Sequence, residues 1–314
     1  MTNNIPVSAI KALRNGGVIA FPTETVYCVG ADVSSRSAVE KLFSVKKRPK
    51  FDPLIIHISE VEQVKLFAAS VPEKAKKLMD RFWPGGLTIV LRKLPSCPDI
   101  VTAGMPGVSL RLPSNPLALE LLREYNAPIA AASANTFGNV SPTEPQHVQD
   151  DLGNGVAALI DDGPCKIGIE TTIVSFLETE PVVLRPGAIP IEVIEKEIGE
   201  VKRSFTSNLA SFFPGLSDHN YPSHTITLFR DDIDGLPKGL SIGLLTFFPA
   251  RNTGAFSAVE VLSQKGDLKE AAHNLFSAMR RLDKLDLDLI VVQHVPEVGL
   301  GVAINDRLAR ACFS

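Results

Sequence analysis

The sequence has only four cysteines, one tryptophan and 6% aromatic residues in 314 positions. Cys28, Cys97, Cys165 and Cys312 lie far apart with no C-x-x-C spacing. That excludes a disulfide framework and the usual zinc or redox motifs, and the four read as packing residues. Long hydrophobic runs are missing too. The longest uncharged stretch, Tyr125 to Thr143, holds two prolines, a glycine, three asparagines and two serines, a mixture that hydrocarbon does not accommodate, so no membrane span is expected. The amino-terminal MTNNIPVSAIKALRNGG lacks the basic and apolar blocks of a secretory signal and points to the cytoplasm.

Charge of one sign is also lacking, with 32 Lys+Arg against 35 Asp+Glu. Together with 45% apolar residues, this excludes fibrous and disordered classes and leaves material for a sizeable core. The balance hides an asymmetry. Residues 1–100 carry 15 basic against 9 acidic side chains, and residues 101–200 carry 5 against 14, so a phosphate-bearing partner would be met in the first third. Stock signatures fail as well: there is no G-x-x-x-x-G-K-[ST], H-E-x-x-H, G-x-S-x-G or EF-hand loop. Gly153-Asn154-Gly155 opens a G-x-G-x-x-A string, but it follows a polar helix and precedes a strand, the reverse of the dinucleotide context, and reads as a turn.

From Ser8 to about residue 200, short β-rich runs alternate with amphipathic stretches, the pattern of an α/β domain. Eight strands are expected, at VIAF, LIIHI, LTIVL, VSLRL, IAAA, VAALI, TTIVSF and VVLR. Helices are expected over Ser8–Asn15 with Ser8 as cap, Ser37–Lys47, Pro72–Phe82, Pro116–Tyr125 and Pro190–Ile198. The residues that follow have no sustained period, and 201–224 read as a linker of a length that usually has a job. From Thr225 four strand patterns and helices over Asp267–Leu282 and Asn305–Phe313 describe a second, smaller α/β domain.

Polar residues stand at strand ends and in the loops after them, where open α/β sheets place ligands. They are Pro22–Thr25, Lys46-Lys47-Arg48, His57, Arg111, and Ser133 with Asn135. Lys46 to Arg48 at a helix C-terminus would suit the macrodipole without any ligand, and His57 in an apolar strand suits a structural histidine. Arg111 inside a buried strand needs a partner, either an internal carboxylate or a bound anion. Residue chemistry alone leads to an anion-binding α/β protein.

The order FPTETVY, KKRP, a strand ending in His57, WPGGLT, VSLRLP, IAAASAN, SPT, GIETTIV and LRPG resembles the YrdC-like threonylcarbamoyl-adenylate synthases over residues 5–200. The linker and the small domain resemble the long, two-domain branch of that family. The resemblance implies a YrdC-like twisted open sheet with helices (1–200), a linker or lid (201–224), and a smaller Rossmann-like α/β domain (225–314). It implies synthesis of L-threonylcarbamoyl-adenylate from L-threonine, bicarbonate and ATP with release of pyrophosphate. Mg²⁺ would be bound through the phosphates, and a downstream tRNA threonylcarbamoyl transferase complex would receive the product. Carried over by motif, Lys46 and Arg48 fall on the triphosphate as catalytic cations. Ser133, Asn135, Ser141, Arg185 and Tyr221 fall with Arg48 on ATP-contacting positions, and Thr25, His57, Arg111, the Ala131 backbone and Thr171 on threonine-binding positions. Cys28 stands where a glycine is usual, and Asp52 where an asparagine is usual, which implies a carboxylate facing phosphates. An alternative use of such a fold is RNA binding or ribosome maturation, through a stripe of Lys41, Lys46, Lys47, Arg48 and Lys50.

Overall fold

The computed structural model describes residues 5–50, 52–204, 225–231, 236–237, 239–250 and 253–312. Ten strands in the first part of the chain form one mixed sheet. They are β1 (Ile19–Phe21), β2 (Cys28–Asp32), β3 (Ile55–His57), β4 (Leu87–Arg92), β5 (Gly107–Arg111), β6 (Ile129–Ser133), β7 (Ala158–Leu159), β8 (Thr172–Ser175), β9 (Val182–Arg185) and β10 (Lys202–Arg203). Their order across the sheet is β10-β9-β8-β4-β5-β3-β6-β2-β1-β7. The helices around it are α1 (Val7–Arg14), α2 (Arg36–Val45), α3 (Glu73–Phe82), α4 (Asp99–Thr102), α5 (Pro116–Tyr125), α6 (Pro145–Leu152) and α7 (Ile191–Ile198). The main core lies where Val39, Leu42 and Phe43 of α2 and Leu78 of α3 meet Val29, Ile56, Ile89 and Ala130. A second cluster puts Leu13 of α1 and Leu121 of α5 against Phe21 and Ile129. The amphipathic periods of these helices are the cause, since each buries one apolar stripe.

The sheet exceeds the eight expected strands by two. β2, CVGAD, was hidden because Gly30 and Asp32 are poor strand formers, but pairing with β1 on one side and β6 on the other overrides local preference. β10 pairs with β9 inside the segment expected to be linker. Ser8 is not a cap: α1 begins at Val7 behind Pro6, with no side-chain cap bond. The cap of α2 is Ser35, which accepts from the Ala38 amide.

The second part of the chain is a four-stranded parallel sheet, ordered β11 (Thr227–Phe229), β14 (Leu289–Val292), β12 (Ile242–Thr246) and β13 (Ala258–Val261). It carries α8 (Leu268–Asp283) and α9 (Leu300–Cys312), the latter starting five residues before the expected Asn305. This is the small α/β domain that the sequence pattern describes. It docks through a shared core, with Val26, Val140 and Ile169 of the first domain packed among Leu275, Phe276, Ile304 and Leu308. Gly168 sits at this seam with φ +79°, and a Cβ there would lie 2.4 Å from the His273 carbonyl oxygen of α8. Only glycine permits both that backbone conformation and that approach. No helix among the described residues is long and apolar enough to cross a membrane.

Candidate active site

Sheet register builds the floor of the site. Cys28 pairs with Ser133, Ile55 with Ala131, and His57 with both Ile129 and Arg111. Paired residues and alternate residues share a face, so Cys28, Ile55, His57, Arg111, Ala131 and Ser133 all point the same way. All six line one cavity that is open to solvent. Because β6 runs antiparallel to β3, Ser133 and His57 sit at opposite ends of their strand pair. The site therefore lies across the sheet face and not at one row of strand ends, as expected from the sequence. Alanines in β6 leave room for a ligand there.

The end of α2 builds one wall. The Arg48 amide donates to the Phe43 carbonyl at 2.9 Å and the Lys47 amide to Ser44 at 3.0 Å, while Lys47 takes φ +51°. That is a Schellman closure with lysine in the place usually held by glycine. The reversal turns Lys46 and Arg48 inward together. Lys46 Nζ donates to the carbonyls of Ser133 (2.5 Å) and Asn135 (2.6 Å). Burial, with Arg48 nearby, pulls its pKa down to about 7. Arg48 donates to the Pro53 carbonyl at 2.9 Å, and its Nη2 lies 2.8 Å from Asp52 Oδ1. Asp52, the implied carboxylate facing phosphates, is thus paired with a cation of the same wall. The lysine–arginine stripe is not a continuous outer surface, since Lys46 is 1% and Arg48 9% exposed.

Arg111 has the internal partner that its burial required. Its Nη2 donates to Glu24 Oε1 and Thr25 Oγ1, each at 2.8 Å. The other Glu24 oxygen accepts from the amides of Ser114 and Asn115 just before α5. Burial raises the Glu24 pKa, but the Arg111 charge and these donors outweigh it and leave it below the ordinary value. His57 Nδ1 faces the Ile55 carbonyl at 3.2 Å. Burial, and then Arg111, push its pKa down to about 3, so the ring is neutral. Among the described residues, His57 Nε2, Arg111 Nε and Asn135 Oδ1 are buried with no hydrogen-bond partner. Native proteins rarely leave such groups unpaired, and all three residues line the cavity.

The opposite wall comes from the motifs GIETT and LRPG. Arg185 donates to the Thr171 carbonyl and hydroxyl at 3.1 and 3.0 Å, and Thr171 also meets Thr88 at 2.8 Å. Gly187 lets the two segments touch, since a Cβ there would lie 2.4 Å from the Glu170 carbonyl oxygen. Ser141 donates to Glu170 Oε1 at 2.6 Å. Glu170 Oε2 accepts from Arg307 Nε of α9 at 2.8 Å. Desolvation would raise the Glu170 pKa, but Arg307 and Arg185 hold it down at about 2.

Eleven of the twelve residues singled out from sequence line this one cavity: Thr25, Lys46, Arg48, His57, Arg111, Ala131, Ser133, Asn135, Ser141, Thr171 and Arg185. Tyr221 lies outside the described residues. Sequence reasoning missed Glu24 and Glu170 as charge partners, although both stand inside quoted motifs. It also missed Arg307, and Arg310 on the cavity lining, because nothing local in the α9 pattern separates an inward arginine from a solvated one. Cys28 lies on the lining with its thiol pushed up to about 11 by burial.

Fold and cavity define a two-domain α/β protein of the YrdC-like class with a cation-rich site. Residues 11–187 match the Sua5/YciO/YrdC family, whose description reads telomere recombination, and residues 189–312 match the threonylcarbamoyl-AMP synthase C-terminal domain. The chain belongs to this family. It is 38% identical to threonylcarbamoyl-AMP synthase of Bacillus subtilis, over 99% of this chain and 94% of the relative. Identity is 37% to that of Pyrococcus abyssi, covering 95% and 91%. A crystal structure of P. abyssi Sua5 complexed with L-threonine superposes with TM-score 0.89 at 36% identity, covering 97% of this chain and 93% of that one.

Proposed function

We propose that this protein is an L-threonylcarbamoyl-adenylate synthase serving threonylcarbamoyladenosine modification of tRNA. The observation that carries the reading is one cavity in which Lys46, Arg48, Arg111 and Arg185 converge with the unpaired His57 Nε2, Arg111 Nε and Asn135 Oδ1. Such a set suits two ligands, a triphosphate and a small zwitterion.

In the reaction, the threonine amine attacks the bicarbonate carbon and loses water to give a carbamate. A carbamate oxygen then bonds to the α-phosphorus of ATP, the bond to the β-phosphate oxygen breaks, and pyrophosphate leaves. Little covalent work falls to the protein, so positioning and charge stabilisation dominate. Lys46 and Arg48 face the triphosphate from the α2 wall. Arg111 presents its unpaired Nε–H to the threonine carboxylate while Glu24 fixes the guanidinium plane. Thr25 and Thr171 orient the amino acid beside neutral His57. Ser133, Asn135, Ser141 and Arg185 bind the nucleotide. Mg²⁺ would be held by the triphosphate oxygens and would neutralise charge there, since the cavity carboxylates Asp52 and Glu170 face Arg48 and Arg307. Tyr221 and its segment would cover the nucleotide and exclude water from a labile mixed anhydride. The product passes to the tRNA-modifying transferase in the cytoplasm.

The test is pyrophosphate release from ATP with Mg²⁺ and bicarbonate, with and without L-threonine and with serine as control, followed by mass analysis of the adenylate. Threonine-dependent release with the threonylcarbamoyl-adenylate mass is expected. Folded protein without threonine dependence would overturn the reading.

A further inference from the structure

The cavity takes one cation from the other domain. Arg310 of α9 lines it, although its helix belongs to the small C-terminal domain. Its side chain is only 14% exposed, unusual for an arginine one turn from a helix end. The C-terminal carbonyls of α9 would favour a cation at this place without any ligand, but they do not require the guanidinium to face a cavity.

What aims Arg310 is a chain of alternating charges. Arg310 Nε and Nη2 reach the two carboxylate oxygens of Asp306 at 3.1 and 3.4 Å. Asp306 Oδ2 is also bound by Arg307 Nη1. Arg307 is 1% exposed, donates to Glu170 at 2.8 Å and caps the Pro186 carbonyl at 3.0 Å. Glu170 in turn holds Ser141. Each inner member is neutralised by its neighbours, and Arg310 ends the chain. Among the described residues its bonds go to Asp306 alone, which engages one edge of the guanidinium and leaves Nη1 for a ligand. Lys46, Arg48, Arg111 and Arg185 of the lining each donate to acceptors of the first domain.

We propose that Arg310 is an anion-binding residue of the site, supplied by the C-terminal domain and bound to the phosphates of the nucleotide. The proposal rests on the ATP reading above but goes beyond it, because it makes the second domain a physical part of the substrate site. A guanidinium suits this role better than an ammonium, since one edge can stay on Asp306 while the other meets a phosphate oxygen.

The test uses the full chain and two probes, ATP and inorganic tripolyphosphate, with affinities measured by calorimetry alongside thermal melting. For Arg310→Ala, binding of both probes should weaken about 10- to 100-fold, the range for loss of one charge-assisted contact, with L-threonine affinity and melting temperature near wild type. Arg310→Lys should recover part of the tripolyphosphate affinity, and Arg310→Gln, which keeps the side-chain length, should not. Wild-type affinity for both probes in Arg310→Ala, or a loss confined to threonine, overturns the proposal. So does a drop in melting temperature with unchanged binding, the result expected if Arg310 serves only its own helix. Arg310-dependent tripolyphosphate binding in a protein that releases no pyrophosphate with threonine would uphold this inference and overturn the proposed reaction.

Discussion

The two walls of the cavity are held in opposite ways. On the α2 wall, Lys46 and Arg48 lie two positions apart in one turn and are braced by carbonyls and by Asp52 within the same domain. On the Glu170 wall, the bracing charge comes from Arg307, 137 positions away in sequence and in another domain. The first wall is local chain geometry and the second is tertiary docking. The difference teaches that cutting off the C-terminal domain would not merely remove a neighbour. It would leave Glu170 buried without its closest counter-charge, beside Ser141 and Arg185.

The sharpest way to break this comparison is Arg307→Ala. Removing one partner of a buried ion pair strands the other and costs about 3–5 kcal/mol, so urea unfolding should show a loss of that size. Arg307→Ala with Glu170→Gln should recover a good part of it, because the stranded charge is gone. If Arg307→Ala costs less than about 1 kcal/mol, the second wall is not held as described.

On the first wall the expected loss is in rate. Lys46→Ala or Arg48→Ala should lower kcat/KM at least about 100-fold, the usual effect of removing one preorganised charge donor and equal to about 2.7 kcal/mol of transition-state stabilisation. Wild-type turnover in either variant would dissolve the distinction, since these cations would then be structural like Arg307.

Proton linkage sharpens it further. Lys46, held at about 7, loses its charge in the free protein as pH rises through 7, so KM for ATP should climb up to about tenfold per pH unit above that point. Bound phosphate favours the ammonium and raises its pKa, so ATP binding near pH 8 should take up a proton, read as heats that vary with buffer ionisation enthalpy. Stability moves the other way. The unfolded chain keeps the lysine proton to about 10.5, so between 7 and that value the unfolded state binds more protons and this group makes stability rise with pH. For Glu170, lowered from 4.5 to about 2, the favourable term is present above 4.5 and is lost as pH falls toward 2.

What was legible follows the same division. Strand and helix patterns gave the α/β class and both domains, because hydrophobic period reports burial directly. The first wall was visible only in part, as two cations two positions apart at a helix stop; the left-handed Lys47 that turns both inward was not, because a lysine gives no sign of a positive φ. The need of Arg111 for a partner was visible from its apolar strand, but the choice of Glu24 was not, because it depends on how the loop after β1 meets the start of α5. β2 was hidden by Gly30 and Asp32, whose strand state is imposed by neighbours on both sides. The Arg307–Glu170 pair had no sequence signal, since a charge on an amphipathic helix reads as solvated until its docking is known.

The smallest effect tests that last point with two adjacent residues of α8. Arg280 is turned across the domain seam, where Nη2 lies 2.7 Å from Asp151 Oδ2 and also meets the Val140 carbonyl, with both side chains under 10% exposed. Arg281, one position on, pairs with Glu260 of its own domain at 2.8 and 2.7 Å, but its side chain is 54% exposed. Both pairs are bidentate, since Arg280 Nη1 also reaches Asp151 Oδ1 at 3.2 Å, but solvent screens the second, so Arg281→Ala should cost about 0.2–1 kcal/mol and leave kcat/KM unchanged. Arg280→Ala should cost several-fold more and also raise KM, because Asp151 holds Thr136 through its carbonyl oxygen beside Asn135. Equal losses for the two variants would mean that burial at the seam adds nothing to an ion pair there, and the contrast between the walls would fall with it.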